Sequence, residues 1–511
     1  MSYLRRLAHW RRAGARALVL VLAMLQCGVP VEAQSSLPTL GDGGEMSTSA
    51  ERRLGDRIAR ELYRSPEYLD DAVLGEYVQG IWRKLMSAAR QRGELAPELE
   101  ERYAWDLLLI RDRSVNAFAL PGGYMGVHLG LVAAVASEDE LASVLAHELS
   151  HVTQRHIARI IGRQSNQAPW LLGAMILGAL AASANPSAAG AVIVGGQAAA
   201  VQGQLNFSRD MEREADRVGY GVMTQAGFDP QGFVSMFEKL QQANRFNDTG
   251  AFPYLRSHPL TTERIADMQA RQQLLARPAA APPAMTHAML AARARVLANP
   301  EVDSLRAAMA QADGDEQVTP AQQAGALYGA VMGALGLREF GRAKGWLERL
   351  GALVRNDPQA LYQQRLLAIE HALAAGDRRA VQQLLAAVAM LPQAQRSRPL
   401  LFLRARAWTQ GGQARQAAEQ LQVWLAAQPR DAQAWQLLSA AYAAQGQTLR
   451  AVRAEAEVQA ARLDYAAAQD RLRAAQELAR QGKTADHIES SIIDARSREI
   501  GSMLREQALE R

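Results

Sequence analysis

The chain has 511 residues, of which 49% are hydrophobic, so it is long enough to form two or three globular domains. Its formal net charge is +5, but five arginines and one glutamate alone give residues 1–33 a net charge of +4. The remaining +1 gives no reason to expect a nucleic acid as a partner, and we predict none.

The N-terminal residues predict an export signal. A basic stretch precedes the apolar run Ala17–Leu25, and Val31-Glu32-Ala33 ends in a suitable cleavage site. An uncleaved membrane anchor is the alternative, although the run is short for a bilayer span. Cleavage after Ala33 removes the only cysteine, Cys27, so the mature chain needs no disulfide in an oxidising compartment. We therefore expect a periplasmic protein with a flexible lead-in at residues 34–50.

Two short apolar stretches near the middle of the first half predict a small β-sheet. Trp105–Ile110 and Gly123–Leu129 have the length and composition of strands, and the turn-rich link Asn116–Gly123 lies between them. An edge strand at this place can pair with an extended peptide and present it to a neighbouring site. The alternative is an ordinary hairpin of the core.

The central motif follows directly and has the form H-E-x-x-H. Ser137 and Glu140 predict a capping box, and apolar residues then recur at helical spacing. On such a helix His147 and His151 share one face, so both imidazoles can reach one metal ion, and Glu148 can act on a water held there. The alternative is a surface helix with two chance histidines.

Residues 169–201 contain two apolar runs around Asn185-Pro186, and each run is too short to span a bilayer. They predict a hairpin that covers the active-site cleft as a mobile lid or makes peripheral contact with a membrane. Buried helical packing is the alternative.

A second acidic helix can complete the metal site. A zinc ion held by two histidines commonly takes a downstream glutamate as its third protein ligand. Glu212 and Asp216 are four residues apart and share a helix face, whereas Glu214 points elsewhere. We therefore expect Glu212 to bind the metal and Asp216 to orient a ligand histidine. A salt-bridged charged helix is the alternative.

Histidines outside the motif have weaker signals. His258 precedes Pro259 in a loop entering a helix, and it can act as a fourth ligand or as a donor to a developing oxyanion. His156 lies five residues beyond His151, off the ligand face. We assign structural or surface roles to five histidines: His128, His156, His287, His371 and His487.

The C-terminal half is predicted to be helical. A proline-rich linker at 277–285 ends the first domain, 51–276, and a helical connector at 286–319 follows. Glycines recur every 35 residues from Gly341 to Gly446, which predicts stacked helix pairs of the tetratricopeptide (TPR) type at 320–485. Such a stack presents a concave surface to another protein. A plain helical bundle is the alternative, and 486–511 is predicted to be a closing helix or tail.

Taken in order, Asn116–Gly123, His147–His151, Glu212–Asp216 and Ser257-His258-Pro259 resemble the HtpX/CAAX-prenyl-protease family of zinc metallopeptidases. With the export signal and the repeats, nearly the whole mature chain resembles the periplasmic branch of that family. The resemblance implies an α+β, mostly α fold. It consists of a gluzincin-type zinc metallopeptidase domain with a small β-sheet, followed by an α-solenoid of TPR helix pairs.

The resemblance also implies roles for individual residues. The implied ligands of one Zn²⁺ per chain are His147, His151 and Glu212. Glu148 is the implied catalytic base, and Asp216 supports a ligand.

In proteins of this type the histidine that matches His258 can approach the zinc and hold the enzyme inactive, and the Asn116–Gly123 link with the strand after it is the substrate-binding edge. The implied substrates are misfolded or stalled outer-membrane β-barrel proteins, with the repeats docking the β-barrel assembly machinery. Two alternatives remain: a TPR scaffold or chaperone with a latent protease, and a membrane-embedded enzyme of the prenyl-protease kind.

Overall fold

The structure is a computed structural model, and it describes residues 46–163, 208–245, 251–273, 284–314, 319–395, 397–481 and 486–509. The predicted export signal, the apolar segment 169–201 and most of the predicted linker at 277–285 lie outside the described residues. Among the described residues, no helix is both long enough and apolar enough to cross a membrane.

The first elements alternate helices with the strands of a small sheet. The helices are α1 (Thr48–Arg64), α2 (Ala72–Gln91) and α3 (Pro97–Arg102). The strands are β1 (Tyr68–Leu69), β2 (Asp106–Ile110), β3 (Ala117–Leu120) and β4 (Tyr124–His128). The sheet order is β1-β2-β4-β3, in which β2 and β4 are parallel and the other two pairs are antiparallel.

The two predicted strands correspond to β2 and β4, but the predicted link between them contains a strand of its own. β3 pairs with β4 in the register Ala119 to Met125, and a short 3-10 turn, Pro121–Gly123, connects the two. Gly122 adopts a φ of +71° in that turn, which a glycine tolerates without strain. The prediction of a mere link was wrong because four apolar residues beside a Pro-Gly-Gly turn give a very short strand signal. β3 is one edge of the sheet.

The helices that follow the sheet surround the H-E-x-x-H motif. They are α4 (Leu129–Ala134), α5 (Glu138–Thr153), α6 (His156–Arg163), α7 (Arg209–Gln225), α8 (Gln231–Arg245), α9 (Tyr254–Ser257) and α10 (Thr262–Gln273). Helix α5 packs against α2, α7, α8 and β3, so it forms the centre of this region.

The rest of the chain is helical, and neighbouring helices in the chain also pack side by side. They are α11 (Met285–Ala298), α12 (Val302–Ala310), α13 (Pro320–Gly336), α14 (Phe340–Leu353), α15 (Pro358–Ala374), α16 (Arg378–Ala389), α17 (Arg398–Gln410), α18 (Ala414–Ala427), α19 (Ala432–Ala444), α20 (Thr448–Ala461), α21 (Tyr465–Gln481) and α22 (His487–Leu509). Gly376 and Gly446 have positive φ angles in the turns α15–α16 and α19–α20, where a recurring glycine allows the chain to reverse. The predicted α+β, mostly helical architecture with a small sheet is confirmed, and the C-terminal region is consistent with a solenoid.

One hydrophobic cluster extends across both regions. It contains Leu145 of α5 and Val222 of α7 together with Leu366 of α15 and Leu403 of α17, all buried. Because apolar contact is continuous from α5 to α17, the helical array packs directly onto the region that holds the H-E-x-x-H helix.

Candidate metal centre

Helix α5 is buried along almost its full length. Ser137 caps its first turn by accepting a hydrogen bond from the N–H of Glu140 at 3.1 Å. The Glu140 carboxylate accepts from the N–H of Ala136 at 2.6 Å, not from Ser137, so the predicted reciprocal capping box is only half formed. Since protein surrounds the helix, the alternative of a surface helix with chance histidines is wrong.

The three motif residues of α5 converge on one point. His147 and His151 are 2% and 1% exposed, and their Nε2 atoms lie 3.0 Å apart. Glu148 is completely buried beside them, and its Oε2 accepts a hydrogen bond from the N–H of Ala119 at 3.0 Å. The edge strand β3 therefore holds the carboxylate of Glu148 in place.

Helix α7 supplies two carboxylates to the same place. Glu212 lies with Oε2 3.5 Å from His147 Nε2 and Oε1 3.4 Å from His151 Nε2. Asp216, one turn later, has Oδ1 2.9 Å from His147 Nδ1. Gly219 lets α7 approach α5 closely, because a Cβ built on it would lie 3.1 Å from backbone atoms of Ala146 and His147.

His258 completes the cluster from the end of the short helix α9. Its Nδ1 lies 3.0 Å from Glu212 Oε1, and its Nε2 lies 3.4 Å from Glu148 Oε1. The ring of Tyr254 stacks on the His258 ring, with 4.5 Å between their centroids. The imidazole is therefore held between a carboxylate of α7 and the carboxylate of Glu148.

Burial and charge give these groups opposed pKa shifts. Burial lowers the pKa of His147, but its hydrogen bonds to the carboxylates of Asp216 and Glu212 outweigh burial and raise that pKa to about 9. Burial and then repulsion from His147 lower the pKa of His151 well below its ordinary value. Burial favours a neutral Glu212, yet His258 and His147 hold its pKa well below the usual range. His147 and Glu212 thus favour their charged forms, whereas His151 favours its neutral form.

The donor set fits a bound metal ion. Four residues each offer one ligand atom, and these atoms lie within 4.8 Å of one another: His147, His151, Glu212 and His258. Imidazole nitrogen and carboxylate oxygen are the ligands that zinc and similar divalent cations take in proteins. Beside them, Oε1 of Glu148 is buried with no hydrogen-bond partner among the described residues. A divalent cation satisfies the chemistry of this cluster.

Arg264 holds the two carboxylates of α7, a role that no sequence pattern predicted. Its Nε and Nη2 donate to Asp216 at 2.6 and 2.8 Å, and its Nη1 lies 2.7 Å from Glu212 Oε2. Nη1 also donates to the carbonyl of Pro259 at 2.9 Å, which ties the His258 loop to the same arginine. The available signal was chemical: two buried carboxylates on one helix face require a cation.

Neither His156 nor Glu214 offers a ligand atom to the cluster, which agrees with their placement off the ligand face. Both nevertheless contact the cluster indirectly, which the sequence did not predict. Helix α5 ends at Thr153, the ring of His156 packs on His151, and Glu214 Oε2 lies 3.1 Å from His156 Nε2. Helical periodicity could not predict these contacts because it does not extend past the end of the helix.

Three of the other histidines bond outside the cluster. His128 Nδ1 lies 2.9 Å from Ser114 Oγ, His287 lies between Tyr77 and the carbonyl of Val135, and His371 reaches the carbonyl of Phe340.

The chain is similar in sequence to known proteins. The model of peptidase family M48 matches residues 77–272. The chain is 32% identical over 447 residues to the beta-barrel assembly-enhancing protease of Escherichia coli (strain K12), covering 85% of this chain and 86% of that protein. It is 33% identical over 341 residues to the putative beta-barrel assembly-enhancing protease of Vibrio cholerae, covering 66% of this chain and 68% of that protein. It is 28% identical over 196 residues to the mitochondrial metalloendopeptidase OMA1 of Saccharomyces cerevisiae, covering 37% of this chain and 54% of that protein.

The residues matched by the family model run from α2 into α10 and include every residue of the cluster. The Escherichia coli relative is matched over most of both chains, so the similarity also extends across the helical C-terminal region. The chain belongs to peptidase family M48 and is a metallopeptidase.

Proposed function

We propose that the protein is a zinc-dependent endopeptidase that binds one Zn²⁺ per chain through His147, His151 and Glu212. The observation that carries this proposal is the convergence of buried imidazole and carboxylate donors beside a second, hydrogen-bonded carboxylate, Glu148. When bound, zinc supplies Lewis-acid chemistry that polarises a carbonyl and makes a water molecule more acidic.

Glu148 is the proposed general base. Burial raises its pKa, against the opposing attraction of His258 and His147, which brings a carboxyl group closer to the working pH. The carboxylate takes a proton from the attacking water and later delivers it to the leaving amine. The N–H of Ala119 holds one oxygen of Glu148, so the other oxygen is directed at the cluster.

Two roles are proposed for the residues around the ligands. Asp216 orients His147 by accepting from Nδ1, and Arg264 holds Asp216 in place. His258 acts as a regulatory fourth ligand or as the donor that stabilises the transition state; its contacts with both Glu212 and Glu148 are compatible with each role.

The biological role is proposed from the relatives whose name states an activity in β-barrel assembly. We propose that the protein acts in the periplasm, after removal of residues 1–33, on misfolded or stalled outer-membrane β-barrel proteins. The helix pairs at 320–485 are proposed to be TPR repeats that dock the assembly machinery. Peripheral membrane contact by 169–201 belongs to this proposal and lies outside the described residues.

A scaffold or chaperone with a latent protease is the second candidate. The observation that favours it is the position of His258, which is 2% exposed and lies against Glu212, Glu148 and Tyr254. A histidine in that position competes with substrate for the centre of the cluster.

The test is metal content and casein cleavage of the purified protein, for the native chain, Glu148→Gln and His258→Ala. One zinc per native chain, retained in Glu148→Gln with cleavage lost, is the expected result. Higher activity in His258→Ala would favour the latent protease, and lost activity would make His258 a transition-state donor. Full activity in Glu148→Gln, or a native chain without zinc, would overturn the proposed mechanism.

A further inference from the structure

The turn after α5 places a fourth histidine, His156, next to the three histidines of the metal cluster. In a continuous helix, His156 would lie about 140° around the axis from His151, because each residue advances about 100°. Instead α5 ends at Thr153, Arg155 adopts a φ of +52°, and α6 begins at His156. The chain thereby folds back, and the two rings pack with centroids 4.8 Å apart.

The left-handed turn residue is anchored at a distance. Arg155 Nε donates to Glu51 Oε2 at 3.2 Å, and its Nη2 donates to the carbonyl of Met46. A positive φ at a residue with a Cβ costs about 1 kcal/mol or more. The surrounding structure thus maintains a strained conformation whose result is the position of His156.

His156 links a ligand histidine to a charged pair at the surface. Its Nδ1 lies 2.8 Å from His151 Nδ1, and its Nε2 lies 3.1 Å from Glu214 Oε2. Arg159 Nη1 donates to the same Glu214 oxygen at 2.9 Å. The His156 side chain is 0% exposed, whereas Glu214 and Arg159 are 28% and 32% exposed, so the chain of contacts runs from the site outward.

The chain of hydrogen bonds runs from His151 through His156 to Glu214, and the carboxylate at its outer end sets the direction of each bond. An ionised glutamate only accepts, so His156 carries its proton on Nε2 and donates it to Glu214. The Nδ1 of His156 is then an acceptor, and His151 must donate through its own Nδ1–H. This assignment leaves the lone pair of His151 on Nε2, the atom that faces His147 and Glu212.

We propose that His156, held by Glu214 and Arg159, is a positioning residue that fixes the tautomer and ring orientation of His151 for metal binding. The inference rests on the proposed zinc site and adds residues to it. The two ligand histidines are then supported differently: His147 by a carboxylate, Asp216, and His151 by a neutral imidazole. All three acidic residues of the run Glu212–Asp216 thereby have a role, spaced two residues apart on α7.

Simple packing does not account for His156. A residue that only fills space at 0% exposure is normally apolar, whereas both ring nitrogens of His156 have polar partners.

The test measures zinc affinity by competition with a chromophoric chelator, using the full chain stripped of metal. His156→Leu removes the acceptor and should weaken zinc binding roughly 10–100-fold. His156→Asn keeps an oxygen acceptor near the place of Nδ1 and should restore most of that loss. His287→Phe is the matched control, because His287 is also buried with two polar partners but bonds to Tyr77 and Val135. Its zinc affinity should remain native.

A second readout separates positioning from stability. The visible absorption of the Co²⁺-loaded protein should change in His156→Leu and stay native in His287→Phe, even where both variants unfold at lower temperature. Glu214→Ala, at a partly exposed position, should fold and still weaken zinc binding, by less than His156→Leu.

Native zinc affinity and a native Co²⁺ spectrum in His156→Leu, or in Glu214→Ala should His156→Leu not fold, would overturn the inference while leaving the zinc site intact. A native chain that binds no zinc would instead overturn the proposed function.

Discussion

At the scale of single residues, Arg264 is the cation that makes the acidic face of α7 compatible with burial. It is 3% exposed and contacts both Glu212 and Asp216, which are each 1% exposed. Burial disfavours an ionised Asp216, but attraction and hydrogen bonds from Arg264 hold its pKa below the ordinary value. The metal cluster therefore depends on a residue that offers no ligand atom.

Replacing Arg264 by methionine should be strongly destabilising. The change keeps much of the volume but removes the guanidinium that pairs with both buried carboxylates, which costs about 3–5 kcal/mol of unfolding free energy. Arg264→Lys should lose less stability, since lysine keeps the positive charge but not the forked geometry of the guanidinium. Urea unfolding of the metal-free protein measures both effects.

Arg213→Met provides the control on the same helix. Arg213 is about half exposed, and its ion pairs with described residues are to the surface carboxylates of Asp210 and Glu263. Its loss should therefore change the free energy of unfolding by about 0.5 kcal/mol or less. Equal effects of the two methionine variants would contradict the role given to Arg264.

Residue spacing predicted a large part of the site. The i, i+4 spacing of His147 and His151, and of Glu212 and Asp216, depends only on helix geometry, and the structure brings these residues together. The roles of Arg264 and His156 could not be predicted from spacing. The position of Arg264 depends on how α10 packs against α7, and the position of His156 depends on where α5 ends.

At the scale of elements, the contact between α5 and α7 brings the two halves of the cluster together. Gly219 lies at this contact, where an added Cβ would approach backbone atoms that cannot move without moving α5. Gly219→Ala should therefore destabilise the protein by about 1–3 kcal/mol, as overpacking does, and should also weaken zinc binding. Thermal unfolding and chelator competition test the two effects.

A helix-interior glycine without such a contact should respond in the opposite direction. In the part of the chain that the structure describes, no atom of another element lies within 4 Å of a Cβ added to Gly345 of α14. Gly345→Ala should stabilise the protein by about 0.5–1 kcal/mol, because alanine loses less backbone entropy on folding. A stabilising Gly219→Ala would show that the helices can separate at no cost.

Element types were predictable where the apolar pattern was long. The cap at Ser137 and the period of α5 identified that helix, whereas β3 was missed because its four residues are ordered by pairing with β4. That pairing is a tertiary effect which no local pattern contains. The missed strand is also the one that holds Glu148 through Ala119.

At the scale of the whole molecule, Arg293 of α11 connects the metallopeptidase region to the helical array. It donates to Asp71, the cap residue of α2, at 2.7 Å and to Glu370 of α15 at 2.8 Å. Burial favours a neutral Asp71, but the attraction of Arg293 and its hydrogen bonds hold the pKa of Asp71 below the ordinary value. A buried ion pair thus joins the two regions beside their shared hydrophobic cluster.

Asp71→Asn should remove this charge and keep the helix cap, since asparagine also caps well. We expect the free energy of unfolding at pH 7 to fall by less than about 3 kcal/mol, because Glu370 still pairs with Arg293. A carboxyl with a lowered folded pKa contributes stability that is complete above its unfolded pKa, about 3.9, and is lost as pH falls through the folded pKa.

The difference in the free energy of unfolding between native protein and Asp71→Asn should accordingly stay constant from pH 7 to 5 and decrease below about pH 4. Urea unfolding of chelator-treated protein at pH 7, 5, 4 and 3 measures it. A difference that does not depend on pH would mean that Asp71 contributes no charge.

The candidate ligand atoms come from α5, α7 and the residue after α9, which are more than a hundred residues apart from first to last. An unfolded chain does not hold all of them together, so we expect a metal ion to bind the folded state more tightly and to shift the folding equilibrium by mass action. Free metal at 100 times its dissociation constant adds about 2.7 kcal/mol to the stability. We therefore expect the supply of metal to set the stability of the folded chain as well as its activity, and a chelator to lower that stability as a mild denaturant does.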